Sequence, residues 1–168
     1  LIPAPFFEVC DRQGRFYVSG YALRTLPDGS CIHLQDGRCL IYEDRFSICR
    51  VYPYMLHREP DDRGRLGFRQ ISGLNEHGEY HTEISPEQSF AIAQETRAYE
   101  EEWLSQMIRF YESLILLFES TGERHVRKVY DQQMKKFRQG ERMEVLVFHA
   151  GQWYPHTVSI ADYSGILE

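Results

Sequence analysis

The sequence predicts an α+β protein: a small Cys-rich β/turn N-terminal half packed on a long helix, then a second helix and a C-terminal β-hairpin. Three observations point there. All four cysteines lie within the first 49 residues, among glycines, prolines and aromatics. A capping signature at Ser85 opens a long stretch with helical spacing. Two alternating stretches flank Ala150-Gly151 near the end of the chain. Of the 168 residues, 42% are hydrophobic and 14% aromatic, which excludes a chain too polar to build a core. The reading divides the chain into a Cys-rich metal-site region over 1–84 and a helical pair with terminal hairpin over 85–168, together one compact unit.

The elements follow in order. Arg15-Phe16-Tyr17-Val18 and Cys39-Leu40-Ile41-Tyr42 read as short strands. Pro27-Asp28-Gly29 and Asp36-Gly37 are turns, because Gly supplies positive φ and Asp bonds its own backbone. A hairpin around Asp36-Gly37 draws Cys31 and Cys39 toward each other. Residues 58–84 are polar and rich in Gly, and read as an ordered connection. Ser85 caps the long helix, Pro86 takes its first position, and Gln88 closes the capping box. That helix runs over 85–120 and stops at Gly122. Its second half is apolar nearly all round, through Trp103, Met107, Phe110, Leu114 and Leu117 and also Leu104, Ile108, Tyr111, Ile115 and Phe118. Such a helix is covered on most sides, by this chain or by a partner. Val126, Tyr130, Met134 and Phe137 space a second helix over 123–138, stopped by Gly140. Strands over 143–149 and 152–160 form the hairpin, and 161–168 is a tail.

The formal charge is −6, with 16 Arg and 3 Lys spread along the chain. That balance speaks against a nucleic-acid module, which needs a basic footprint to displace counterions from phosphate. No apolar run approaches the ~20 residues that cross a bilayer, and the first residues lack the charged and apolar regions of a secretory signal. The expectation is a cytoplasmic protein with no membrane span and no nucleic-acid partner. A protein partner or a second copy is expected on the helix from Trp103 to Phe118. Phosphate-loop, dinucleotide and nucleophile-elbow motifs are absent, so no catalytic residue is assigned.

Chemistry concentrates at Cys31-x7-Cys39-x9-Cys49. Thiolates are soft ligands that favour Zn²⁺ or iron–sulfur clusters, and closed sites take four ligands. A fourth comes from Cys10, a histidine, upstream residues or another subunit; buried free thiols and disulfides are the alternatives. His33, next but one to Cys31, reads as an ordinary polar residue. Arg45 and Arg50 flank Cys49 and either donate hydrogen bonds to sulfur or pair with Glu43, Asp44 or the acidic helix. Tyr42, Tyr52 and Tyr54 are expected to pack over the site. The His77-Gly78-Glu79-Tyr80-His81 stretch reads as loop, since Gly78 opposes the helix that zinc-binding histidines four apart require. Glu95, Glu100, Glu101, Glu102 and Glu112 read as a solvated helix face.

Cys39, Ile41, Tyr42, Arg45, Cys49, Arg50, Tyr52 and Pro53 stand as in C-x-I-Y-x-x-R-P-x-x-C-R-x-Y-P, with Cys31 as the preceding cysteine. Over residues 31–53 the chain therefore resembles the zinc- or iron-chelating CxxCxxCC (YkgJ-like) cysteine-cluster family. The resemblance implies a Cys-ligated metal or iron–sulfur site, structural or redox in role, and a place in a larger complex. The chain departs from the pattern at Phe46, where the family has Pro, and at Ser72, where it has Cys. The upstream C-x-x-C-x-x-C-C run has only Cys10 in its place; the chain opens on Leu1 rather than Met, which leaves room for that run upstream. The departures motivate a second reading, a metal-free interaction scaffold. A third is an enzyme whose cluster supports a modification such as methyl transfer.

Overall fold

The structure is a computed structural model that describes residues 1–52, 54–57, 62–63, 67–70 and 85–163. Pro53, Ser72, the His77 to His81 stretch and residues 164–168 lie outside the described residues, as does the residue 84 boundary. The elements are helices and strands in mixture, an α+β chain with a long helix, a second helix and a C-terminal hairpin. Two compact units form, one from 1–40 with 106–168, the other from 41–105.

The first unit is built on a four-stranded sheet. Its strands are β2 (Val9–Cys10), β3 (Phe16–Val18), β9 (Met143–His149) and β10 (Gln152–Val158), in the order β10-β9-β3-β2. Strands β9 and β10 are antiparallel, with Gln152 opposite His149. Between them Ala150 and Gly151 both take positive φ (48° and 77°), the primed turn that matches strand twist. Strands β3 and β9 run parallel, pairing Phe16 with Val145 and Val18 with Val147. Helix α2 (Pro86–Thr121) and helix α3 (Arg127–Arg138) cover opposite faces. Strand alternation sends Phe16, Val18, Met143, Val145 and Val147 to one face, where they bury Phe7, Cys10, Tyr163 and Phe137 of α3. The same alternation sends Tyr17, Phe148 and Trp153 to the other, against Phe110, Leu114 and Phe118 of α2. Trp153 Nε1 donates to Ser113 Oγ at 3.0 Å, so the half-buried indole keeps its hydrogen bond. A short pair, β1 (Ile2–Pro3) with β4 (Tyr21–Ala22), ties the N-terminus in, and Tyr163 Oη donates to Pro3 O at 3.1 Å.

Helix α2 begins as the local sequence dictates. Ser85 N donates to Gln88 Oε1 at 3.0 Å and Gln88 N to Ser85 Oγ at 3.2 Å, the reciprocal capping box. It ends at Gly122, φ +66°, with Glu123 N reaching back to Phe118 O at 3.0 Å. Within the first unit α2 buries one face alone: Ile108, Tyr111, Ile115 and Leu116 are 40–66% exposed. Among the described residues no helix is long and apolar enough to cross a membrane.

Helix α3 starts four residues later than the spacing alone predicts. Val126 N donates to Cys10 O at 2.9 Å, and Cys10 N to His125 Nδ1 at 3.1 Å. Glu123 accepts from Arg12 Nε and Gln13 Nε2, both at 3.1 Å. These bonds to β2 and its turn hold 123–126 out of the helix, a tertiary override of local propensity.

The second unit holds the first part of α2, helix α1 (Ser47–Val51) and the antiparallel pair β7 (Tyr54–His57) and β8 (Gly67–Gln70). Arg50 Nε meets Glu95 Oε1 at 2.6 Å and ties α1 to α2.

Candidate metal-binding cysteines

Turns, more than burial, shape the segment that carries Cys31 and Cys39. Leu26 N donates to Ser30 O at 2.8 Å, and Gly29, φ +81°, closes the Pro27-Asp28-Gly29 turn. Asp28 Oδ1 accepts from Ser30 N and Ser30 Oγ at 2.9 and 2.6 Å. An isolated bridge pairs Thr25 with Cys31. Strands β5 (Leu34–Gln35) and β6 (Arg38–Cys39) flank Asp36 and Gly37, both at positive φ, so the Asp36-Gly37 hairpin forms and sets Leu34 opposite Cys39. The strand predicted over 39–42 is confined to Arg38–Cys39.

Cys31 opens a further turn. Its carbonyl accepts from Leu34 N at 2.9 Å, and its Sγ accepts from the His33 backbone N–H at 3.4 Å. A backbone N–H aimed at sulfur is the kind of contact that tunes a thiolate-bound metal. Around it Ile32, Leu34 and Leu40 are exposed, so this segment has little apolar burial to hold it.

The four cysteines are free thiols. Cys31 and Cys39 are half-buried in the first unit, and Cys49, also half-buried, lies on α1 in the second. Among the described residues no three or more His, Cys, Asp or Glu side chains converge on a common point. Cys10 differs from the other three. It is fully buried in the core, its Sγ donates to Asp11 O at 3.6 Å, and burial, helped by the Asp11 charge, pushes its pKa up to about 12. A thiol in that setting stays protonated and packs as a small hydrophobe.

Arg50 takes the partner offered by the acidic helix, Glu95. Arg45 stacks its guanidinium 3.7 Å from the Tyr42 ring centroid and donates Nε to Tyr42 O at 2.8 Å. Tyr42 and Tyr52 are 58% and 45% exposed, and the Arg45 stack holds Tyr42; the side chain of Tyr54 lies outside the described residues. Burial, with the charges of Glu100 and Cys49, raises the pKa of Tyr99 on α2 in the second unit.

The most constrained charged group was not singled out from sequence. Asp11 is fully buried, and its carboxylate accepts from Gln13 N, Arg15 N, Arg15 Nε and Tyr17 Oη at 2.8, 3.0, 2.7 and 2.8 Å. The signal was present, since Asp11-Arg12-Gln13-Gly14 is an Asp-to-Gly turn. Its four donors are satisfied within the hairpin, so the arrangement anchors β2 to β3. No protein-family model, curated protein or solved structure matches the chain.

Proposed function

We propose that the chain binds Zn²⁺ or an iron–sulfur cluster through Cys31, Cys39 and Cys49, with a structural or redox role in a cytoplasmic, reducing setting. The carrying observation is the spacing of these cysteines within the stretch 31–53 that is similar to the YkgJ-like cysteine-cluster family. Two features support it. The N–H of His33 points at the Cys31 sulfur, and the turns that carry Cys31 and Cys39 expose their apolar residues. A segment with so little core gains stability from ligation, because metal affinity becomes folding free energy. Cys10 is a packing residue in this reading, and the fourth ligand comes from outside these three.

The test is metal and acid-labile sulfide analysis of protein purified without air. Cys39→Ser and Cys49→Ser should each release the metal and lower the melting temperature, whereas Cys10→Ala should destabilise the core and leave metal content unchanged. Metal content that survives Cys39→Ser and Cys49→Ser refutes the reading. Iron with sulfide assigns a cluster, and zinc alone a structural clamp.

A protein partner or second copy on α2 belongs to the same proposal. Its support is the exposed row Ile108, Tyr111 and Ile115, at one-turn spacing beside the buried Phe110 and Leu114.

A further inference from the structure

We propose that α3 is a docking site for an acidic, amphipathic protein segment, independent of the cysteines. All three lysines of the chain lie on this helix, which carries five basic residues and one acid. The chain as a whole is −6, so α3 at +4 stands against −10 in the remainder. Arg124 and Arg142, which flank the helix in sequence, are exposed as well.

Helix stability does not account for this pattern. Lys135, Lys136 and Arg138 in the last turn suit the helix dipole, but Arg127 and Lys128 in the first turn oppose it, and no acid stands there. Internal neutralisation does not account for it either. Arg127 pairs with Asp131 at 3.1 Å and Lys136 with Glu141 at 3.8 Å. Lys128, Lys135 and Arg138 have no ion pair among the described residues.

The geometry narrows the occupant. Arg127, Asp131, Lys135 and Arg138 follow one another at intervals of one turn and rim a groove of about 510 Å³. Tyr130 and Met134 line the same groove and pack from it onto the core. An anion with an apolar side fits such a surface: carboxylates one turn apart meet the cations, and a Leu or Phe enters beside Met134. Nucleic acid fits less well. The Tyr130 ring lies 5.1 Å from the Arg127 guanidinium and 6.0 Å from the His125 ring, so neighbours already occupy positions a stacking base needs.

The experiment is fluorescence anisotropy with a short fluorescein-labelled peptide of Glu and Leu at helical spacing. Polyglutamate of equal length and a duplex oligonucleotide serve as competing probes. The peptide should bind, and its affinity should fall about tenfold between low and moderate salt. Lys135→Glu with Arg138→Glu should weaken it about tenfold more, since each reversal loses a pair worth about a quarter of a power of ten and adds a repulsion of similar size. The milder Lys135→Gln with Arg138→Gln, checked for an unchanged circular dichroism spectrum, should weaken it about threefold. Arg97→Glu, a basic residue of the second unit, should leave it unchanged. Absence of peptide binding overturns the proposal. So does tighter binding of the oligonucleotide, and so does polyglutamate binding as well as the peptide, since the apolar floor would then contribute nothing.

Discussion

Removing the Asp11 carboxylate is the sharpest test of how the first unit holds together. The side chain is fully buried and receives four hydrogen bonds, two from backbone N–H groups, one from Arg15 and one from Tyr17. Asp11→Ala leaves Tyr17 Oη, itself buried beneath Phe118 and Trp153, without an acceptor. It also leaves the Arg15 guanidinium without its counter-charge. An unsatisfied buried polar group costs about 1–3 kcal/mol, and a broken buried ion pair about 3–5 kcal/mol. Arg15 keeps a third of its side chain in water, which screens the charge, so the lower end applies and the expected loss is about 3 kcal/mol. For a chain of this length that is a fall in Tm of about 10 °C. Asp11→Asn should recover part of it, because Oδ1 still accepts from Gln13 and Arg15 while the amide faces the Arg15 donor.

The pH dependence carries the same signature. Burial pushes the Asp11 carboxyl up, but the hydrogen bonds from Arg15 and Tyr17 and the Arg15 charge outweigh it and hold the pKa below the ordinary value. A depressed folded pKa contributes stability that is fully present above the unfolded value of about 3.9 and is lost as pH falls through the folded pKa. Urea unfolding followed by Trp153 fluorescence in a Trp103→Phe background isolates this unit. Wild type should lose stability in acid more steeply than Asp11→Asn. A loss below about 1 kcal/mol in Asp11→Ala, or parallel acid profiles, refutes the assignment of Asp11 as the anchor of the β2–β3 hairpin.

Three further outcomes are expected. Ser85→Ala should lower stability by about 1 kcal/mol and fray the first turn of α2, visible as lost ellipticity at the helix minimum, because the Gln88 N–H loses its Ser85 Oγ acceptor while the Ser85 backbone N–H keeps Gln88 Oε1. Gly37→Val should disfavour the Asp36-Gly37 turn, since φ is +73° there, and lower metal retention along with stability if that hairpin presents Cys39; unchanged metal content in a folded variant contradicts this. Leu114→Glu should unfold the first unit, whereas Ile115→Glu, at a position 56% exposed, should leave the monomer's Tm nearly unchanged and abolish any self-association seen by sedimentation.

What was legible in the sequence is what local chemistry decides. Ser85 and Gln88 cap α2 by contacts three residues apart, and Asp36-Gly37 and Ala150-Gly151 turn the chain by their own φ. The start of α3 was less legible because Cys10, Arg12 and Gln13, over a hundred residues away, occupy the donors and acceptors of 123–126. Periodicity showed that the second half of α2 is apolar all round, but not that the sheet takes only the side carrying Phe110 and Leu114. The cysteine spacing was plain, and burial separates Cys10 from the other three, a distinction that spacing alone does not contain. The basic surface of α3 was diluted in a charge count taken over the whole chain, though the clustering of the three lysines within nine residues was there to be seen.

The parallel pairing of Phe16–Val18 with Val145–Val147 sets a rule for how this protein emerges from a ribosome. The strand that covers the inner edge of residues 9–18 is made more than a hundred residues after them. Until then Phe16–Val18 pairs only with Val9–Cys10, and the cost of closing so long a loop falls before the contact with Val145–Val147 rewards it. The hairpin of Met143–His149 with Gln152–Val158 needs no such wait, since its own turn brings it together. It is therefore the natural template, formed late and at once, on which the early strands then dock. A nascent chain halted short of residue 143 holds a short hairpin with one open edge and an uncovered helix, the kind of species that chaperones retain.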